Sequence, residues 1–502
     1  MHLYRLTLLV LLLLSPAVNA QVPGVPSLVG DPFLNIMGSP FGARGDNATD
    51  DSAAIQAAIN TAVAQGGGTV LFPPGRTYRS CRTLVIPINA LKVTLTGYGA
   101  LLRGCVNGDI LQVGDLTTQN AHATYITVHG LTIIGNGWTD TRQPQQNGLG
   151  VYSVIGLSLR DVVITGIPNI GMRAVKSPQP GSRFLNLVQL DHVAIRFTGF
   201  QGLSYCETGA ACDDLTIIGS IFNGLGAKVT TASGASGGVY INTATLHMGF
   251  SEVSLVQNLD AARGYLVAVH VTNATGVISG LHTENTGANQ AGSTAILLDG
   301  TSAGFVITGF SCLESQATAT QTCVRIRAPG AVISGLQQCS AIPTHTIGTV
   351  VDAGDASATN FYITGLANCN GATAPHAWVT TAGGGTGTWV DPHGVTRVVG
   401  VGTQLSTLGM GVAPDAAAGT IVGVKGLSST STAAKNLAGA CVFSAATTCT
   451  VTLGTAEANA DYRVTLGCNA KKTFWVTGKT TTHFVVNAST ISSDTCEWHL
   501  FR

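Results

Sequence analysis

The chain has 502 residues, with 25 Lys and Arg balanced by 25 Asp and Glu, so its formal net charge is zero. That balance excludes the clustered basic charge with which proteins hold nucleic acid or an anionic membrane, and past the first twenty residues no stretch approaches the roughly 20 apolar residues of a membrane helix. Gly, Thr, Ala, Val and Ile dominate and strong helix formers are few, which directs the chain toward strand.

In chain order, residues 1–20 read as a signal peptide. Arg5 precedes the apolar run from Leu6 to Leu14, and Val18, Asn19 and Ala20 supply a small-residue cleavage site, so a secreted or periplasmic protein starting at Gln21 is expected. Twelve cysteines in an exported chain suggest disulfides, and they fall in near neighbours: 81/105, 206/212, 312/323, 339/369, 441/449 and 468/496. Neighbour pairing leaves no odd thiol, although connectivity stays open. No CxxC pair or Cys/His cluster points to a metal, and no cofactor is implied.

Next comes "GARGDNATDDSAAIQAAINTAVAQGGGTVLFPPG", residues 42–75. Ile55, Ile59 and Val63 recur at helical spacing behind Thr49, Asp50 and Asp51, and three glycines end the run, so a helix over 51–64 is expected. Asp50 or Thr49 is the expected N-cap, with Asp51 favourable against the helix dipole. A calcium-loop reading of these carboxylates fails, because Ala48 stands at a ligand position and the required glycine and distal glutamate are missing. The amphipathic helix suits a plug for an open solenoid end.

The strongest signal is a repeat. The pattern apolar, any, turn-like, apolar recurs as "VHGL" at 128, "LRDV" at 159, "LDHV" at 190, "IGSI" at 218, "FSEV" at 250, "ISGL" at 278, "ITGF" at 307, "ISGL" at 333 and "ITGL" at 363. Each copy holds short β-branched strands with no helix between them, and a single copy cannot bury its own apolar face. Stacking them implies an all-β chain with a parallel β-helix over 21–380. Cys339 and Cys369 sit at equivalent places in successive copies and should lie on adjacent strands, about 4.8 Å apart.

The stretch 42–78 resembles the N-terminal signature of pectate-lyase-like right-handed β-helix proteins, a superfamily of polysaccharide lyases, glycoside hydrolases and phage tailspikes. The resemblance implies that fold and carbohydrate polymers as the substrate class. Polygalacturonases of that fold carry Gly-His-Gly and Arg-x-Lys motifs that have no counterpart here; Asp213 and Asp214, beside Cys212, only weakly echo their paired aspartates. The acidic cluster of calcium-dependent pectate lyases is not found either.

From the residues themselves, the best carboxylate pair is Glu284 and Glu314, which follow the turn glycines Gly280 and Gly309 by four and five residues, with His282 close by. Two carboxylates one coil apart could divide acid and base roles; equally, both could be solvated loop residues. Glu252 falls in the turn column of Gly130, Asp161 and His192 and is assigned a structural role, and Asp260 with Arg263 reads as a surface ion pair. Trp138, Tyr152, Tyr205 and Tyr240 lie in or beside turns, either stacking on sugar rings or buried.

Beyond residue 380 the repeat stops. Residues 381–435 are a Gly/Ser/Thr-rich linker in composition, and 436–502 show six alternating segments, an antiparallel β-sandwich in which Trp475 and Trp498 are expected as core anchors. This part is similar to small sandwiches of phage tail proteins and the H-type lectin group, which implies sugar binding or a homotrimer. The expectation for the whole is a secreted protein that binds and cleaves an extracellular polysaccharide as hydrolase or lyase. The rival is a non-catalytic, tailspike-like or adhesin binder. Sparse charge argues against a polyuronate.

Overall fold

The computed structural model describes residues 33–115, 121–176, 185–206, 212–229, 237–254, 267–284, 293–313, 321–339, 347–369, 377–381, 384–399, 438–443, 446–452, 463–468, 473–492 and 495–501. The expected signal peptide and most of the expected linker lie outside them.

The chain winds into a right-handed parallel β-helix with three sheets, here A, B and C in the order the chain visits them. One coil runs through Val154–Arg160 on A, Val163–Ile167 on B and Met172–Val175 on C, and returns to A at Leu185–Asp191. Each strand pairs in parallel with its equivalent in the next coil, as in Leu157↔Val188 and Ile164↔Ile195. Inward positions therefore stack: Leu149, Met172, Leu203 and Val239 form one buried column on C. Burying each such side chain contributes about 1.5–3 kcal/mol.

The corner from A to B is a tight turn with one left-handed residue. Gly130 (φ 67°), Asp161 (52°), His192 (52°), Gly280 (64°), Gly309 (62°), Gly335 (67°) and Gly365 (67°) take that place, as the repeat predicts. Two copies differ. In "IGSI" and "FSEV" the left-handed residues are Gly219 (57°) and Phe250 (47°), one and two positions earlier than expected. Ser220 and Ser251 then fill the inner corner that Leu131, Val162 and Leu281 fill elsewhere, and both are buried. Their hydroxyls remain satisfied: Ser220 Oγ donates to Ile218 O (3.1 Å) and Ser251 Oγ to Gly249 O (2.9 Å), while Val193 N and Ser220 N donate to the two Oγ atoms. Glu252 consequently leaves the turn and begins a strand of sheet B, Glu252–Ser254.

The helix α1, Ser52–Ala64, plugs the N-terminal end with Ile55, Ala58, Ile59 and Ala62 fully buried. Its N-cap is Asp51 rather than Asp50 or Thr49, and the Asp51 side chain does not cap the helix. The buried carboxylate instead accepts from Arg44 N (2.7 Å) and Gly45 N (3.1 Å), while Asp50 accepts from Ser52 N and Cys81 N, both 3.1 Å. Hydrogen bonds from Thr49 and Ala48 N–H hold the exposed Asp46 carboxyl down at about 2.

Gln56 of α1 does what a neighbouring strand would do for the open edge of Leu84–Ile86: its Nε2 donates to Val85 O and its Oε1 accepts from Val85 N, both 2.8 Å. Gln56→Ala removes both half-buried hydrogen bonds and should cost about 1–3 kcal/mol, read as a lower midpoint in urea unfolding. At the other end, sheet A continues past residue 380 into an antiparallel hairpin, Gly387–Val390 with Thr396–Val399.

Four expected cysteine pairs are disulfides: Cys81–Cys105, Cys206–Cys212, Cys312–Cys323 and Cys339–Cys369, the last with Cα atoms 4.9 Å apart on adjacent coils. Cys449 and Cys496 are also disulfide-bonded; the expected partners, Cys441 and Cys468, have side chains outside the described ones. Near the C-terminus two three-stranded antiparallel sheets share a core of Phe443, Val451, Phe484, Val486 and Cys496. Trp475 is 44% exposed there and is not a core anchor, because it alternates with Phe474 and Val476, which pack against that core. The Trp498 side chain lies outside the described ones.

Candidate functional site

Sheet B presents two outward columns. One runs through Ile221, Glu252, His282 and Ser311, the other through Arg196, Asn223, Ser254 and Glu284. The misframed turn thus sets Glu252 directly beside His282 and diagonal to Glu284. One strand across and two residues along separates the Glu252 and Glu284 Cα atoms by about 8 Å.

Hydrogen bonds order this surface. Asn223 Nδ2 donates to Ser254 Oγ (2.9 Å), and Ser254 Oγ donates to Glu252 Oε1 (2.8 Å). His282 sets Nδ1 3.2 Å from Ser311 Oγ and Nε2 4.0 Å from Glu284 Oε2. The His282 and Glu284 side chains each keep 36% of their surface open to solvent. Two carboxylates and an imidazole, accessible and on one rigid face, can divide proton donation and water activation between them.

Trp138 lies in a turn beyond the sheet-B strand Thr132–Ile134, five strands away from His282. Its ring meets Phe197 edge-on, centroids 5.2 Å apart, and Phe197 follows Arg196 of the second column. His282 and Glu284 are therefore brought to one sheet, Glu252, assigned to a turn from its sequence, joins them, and Trp138 stands apart. Glu314, Asp260 and Arg263 lie outside the described residues.

The other expected residues go elsewhere. Tyr205 lies inside the coil in register with Ala174 and Ile241, fully buried, so it does not reach a groove. Asp213 and Asp214 belong to a strand of sheet A, Cys212–Ile218, where their carbonyls accept from Thr243 Oγ1 and Tyr205 OH. Tyr152 and Tyr240 are on sheet C. Tyr152 OH donates to Asp109 Oδ2 (2.6 Å), and burial, then the Asp109 charge, pushes its pKa up, so it stays a neutral donor rather than a base. Tyr240 stands edge-on to His270 at 5.0 Å, and His270 Nε2 is 3.6 Å from Asp299 Oδ2. Neither His270 nor Asp299 was expected. The available signal was one histidine inside "VAVHVT", an otherwise apolar or β-branched run.

Residues 33–139 match the family described as rhamnogalacturonase A/epimerase, pectate lyase-like. That match covers about a fifth of the chain. Over it, the chain is similar to pectate-lyase-like proteins, and the β-helix fold continues beyond it. The β-helix protein is 34% identical over 149 residues to a capsule-specific depolymerase of a Klebsiella phage, covering 27% of this chain and 18% of the phage protein. It is 33% identical over 165 residues to alginate lyase 7 of Azotobacter vinelandii, covering 31% and 19%. It thus spans less than a fifth of the length of these two relatives. Among solved structures, it is similar to the A-module of a mannuronan C-5 epimerase of Azotobacter vinelandii at 18% identity and a TM-score of 0.36, covering 70% of this chain and 92% of that one.

Proposed function

We propose that the protein is secreted and that it binds and hydrolyses an extracellular polysaccharide on the outer face of sheet B. The observation that carries this reading is the placement of Glu252, His282 and Glu284 together on an accessible face. With Cα atoms about 8 Å apart on one face, the two side chains can reach either side of a single glycosidic bond, the requirement for a pair of hydrolytic carboxylates. Glu284, with His282 beside it, protonates the leaving oxygen; Glu252, oriented by Ser254, activates the water. Between Thr165 and Leu313 these columns carry Arg196 as their one guanidinium, too few fixed cations for a polyuronate, so the favoured substrate is a neutral or sparsely charged chain. The activities named for the phage depolymerase and the lyase support a carbohydrate polymer as the substrate class.

The test is incubation of the purified protein with neutral and acidic polysaccharides. New reducing ends without absorbance from unsaturated sugars are expected; unsaturated products would replace hydrolysis with elimination, and binding without either signal would leave a non-catalytic binder. A second reading places the chemistry on sheet C and is favoured by the Tyr240, His270 and Asp299 arrangement. Under it, His270→Ala abolishes turnover; under the first reading that variant keeps it.

A further inference from the structure

Five aromatic rings on the outside of the coil share one arrangement: each lies against a glycine of the next coil. Tyr98 covers Gly130, Tyr125 covers Gly156, His192 covers Gly219, Phe197 covers Gly224 and Phe250 covers Gly280, and a Cβ on any of these glycines would come within 2.6–3.0 Å of ring atoms. The rings remain exposed, Tyr98 at 53%, Tyr125 at 57% and Phe250 at 78%. Four of the aromatic residues hold the left-handed backbone conformation, Tyr125 (φ 55°), His192 (52°), Phe197 (53°) and Phe250 (47°). A bulky side chain adopts that conformation only at a cost. Folding alone does not call for exposed aromatics at strained positions, since glycine fills the same turn place at Gly280, Gly309 and Gly335.

Tyr98, His192 and Phe250 line up along the tight corner between sheets A and B. Their rings lie over Gly130, Gly219 and Gly280, three and two coils apart, which spaces them by about 10–14 Å along the axis. Polar groups fill the intervals. Tyr98 OH donates to Asp161 Oδ2 (2.6 Å), Arg160 Nε donates to Asp191 Oδ2 (3.1 Å), and His192 Nδ1 is 2.7 Å from Asp191 Oδ1.

We propose that this corner is a polysaccharide-binding track. An extended chain of neutral sugars lies parallel to the helix axis, its apolar ring faces on Tyr98, His192 and Phe250 and its hydroxyls on Asp161, Asp191 and Arg160. The track ends beside the candidate site, because Phe250 is two residues from Glu252. The proposal rests on the reading of the protein as polysaccharide-active and adds to it the direction of the chain and the residues that hold it. A protein partner fits less well: the rings are separated by glycines and charged groups and form no continuous apolar patch.

Affinity electrophoresis tests the track. The full chain carrying Glu284→Gln is run through gels cast with hydroxyethylcellulose, dextran or polygalacturonate. Retardation by a neutral polymer is expected, and Tyr98→Ala and Phe250→Ala should each weaken it about 2- to 12-fold. Phe250→Leu keeps an apolar cover over Gly280, so it should hold the parent's thermal midpoint yet lose retardation as the alanine variant does, while Phe250→Trp restores it. The track is overturned if Phe250→Leu and Tyr98→Ala are retarded like the parent, or if no neutral polymer retards the parent. It is also overturned if light scattering shows that the substitutions dissolve an oligomer and leave retardation unchanged, which makes the corner a contact between copies of this chain. Binding is read without turnover, so failure of the hydrolysis reading, seen as undiminished cleavage in the Glu252 and Glu284 variants, is a separate result.

Discussion

Glu252→Gln and Glu284→Gln, each alone, lower polysaccharide cleavage by about 10²- to 10⁴-fold, the range for losing one general acid or base. Both side chains are on the outer face of sheet B. Glutamine keeps their size and hydrogen-bonding reach, so stability should stay within about 0.5 kcal/mol of the parent. The double variant should be little worse than either single one, because a pair that divides one proton transfer fails when either member is missing. Reducing-end release beside a thermal unfolding curve reads both quantities, and unchanged turnover in the two single variants removes the assignment. Ser254→Ala is the gentler probe. It deletes the hydrogen bond to Glu252 Oε1 without touching either carboxylate, and a reduced rate with an altered pH profile would mark Ser254 as a positioning residue.

Tyr205→Ala should cost about 3–5 kcal/mol, the cost of emptying a large buried aromatic site. Tyr205 is fully buried between Ala174 and Ile241 of the adjoining coils, a large side chain over a small one, so neighbouring coils cannot close over the space. Tyr205→Phe removes only the 3.3 Å hydrogen bond to Asp214 O and should cost about 1 kcal/mol. Urea unfolding separates the two. Neither variant should change polymer retardation while folded, because the ring faces the interior; a binding loss in Tyr205→Phe would contradict that placement.

What was legible before the fold was known followed from local rules. A strand period near 30 with no helices between strands, an amphipathic helix stopped by three glycines, and cysteines one coil apart each depend on neighbours in sequence or on the repeat length. Sheet, plug and four disulfides followed accordingly. The helix cap was read one residue early, because Asp51 looks like an ordinary first-turn acid until its carboxylate is seen bonding Arg44 N and Gly45 N.

Which face each side chain takes was a different matter. Strand periodicity is two, so a two-residue error in placing a turn keeps the inside-outside pattern intact while moving residues between corner and face. Ser251 caused that error, and Ser220 a one-residue version of it: buried serines that bond nearby carbonyls can stand where leucine stands in other coils, and nothing in "IGSI" or "FSEV" announces it. Glu252 was thus misread as a turn residue, and Tyr205 and Tyr240 could not be told apart, although one fills the core and the other faces out from sheet C. The sequence by itself determined the winding, the plug and the stacking of like on like, since these follow from period and local propensity. Only the tertiary structure decided that Glu252, His282 and Glu284 share a face, because that depends on where each corner turns and on residues some 30 apart coming into register.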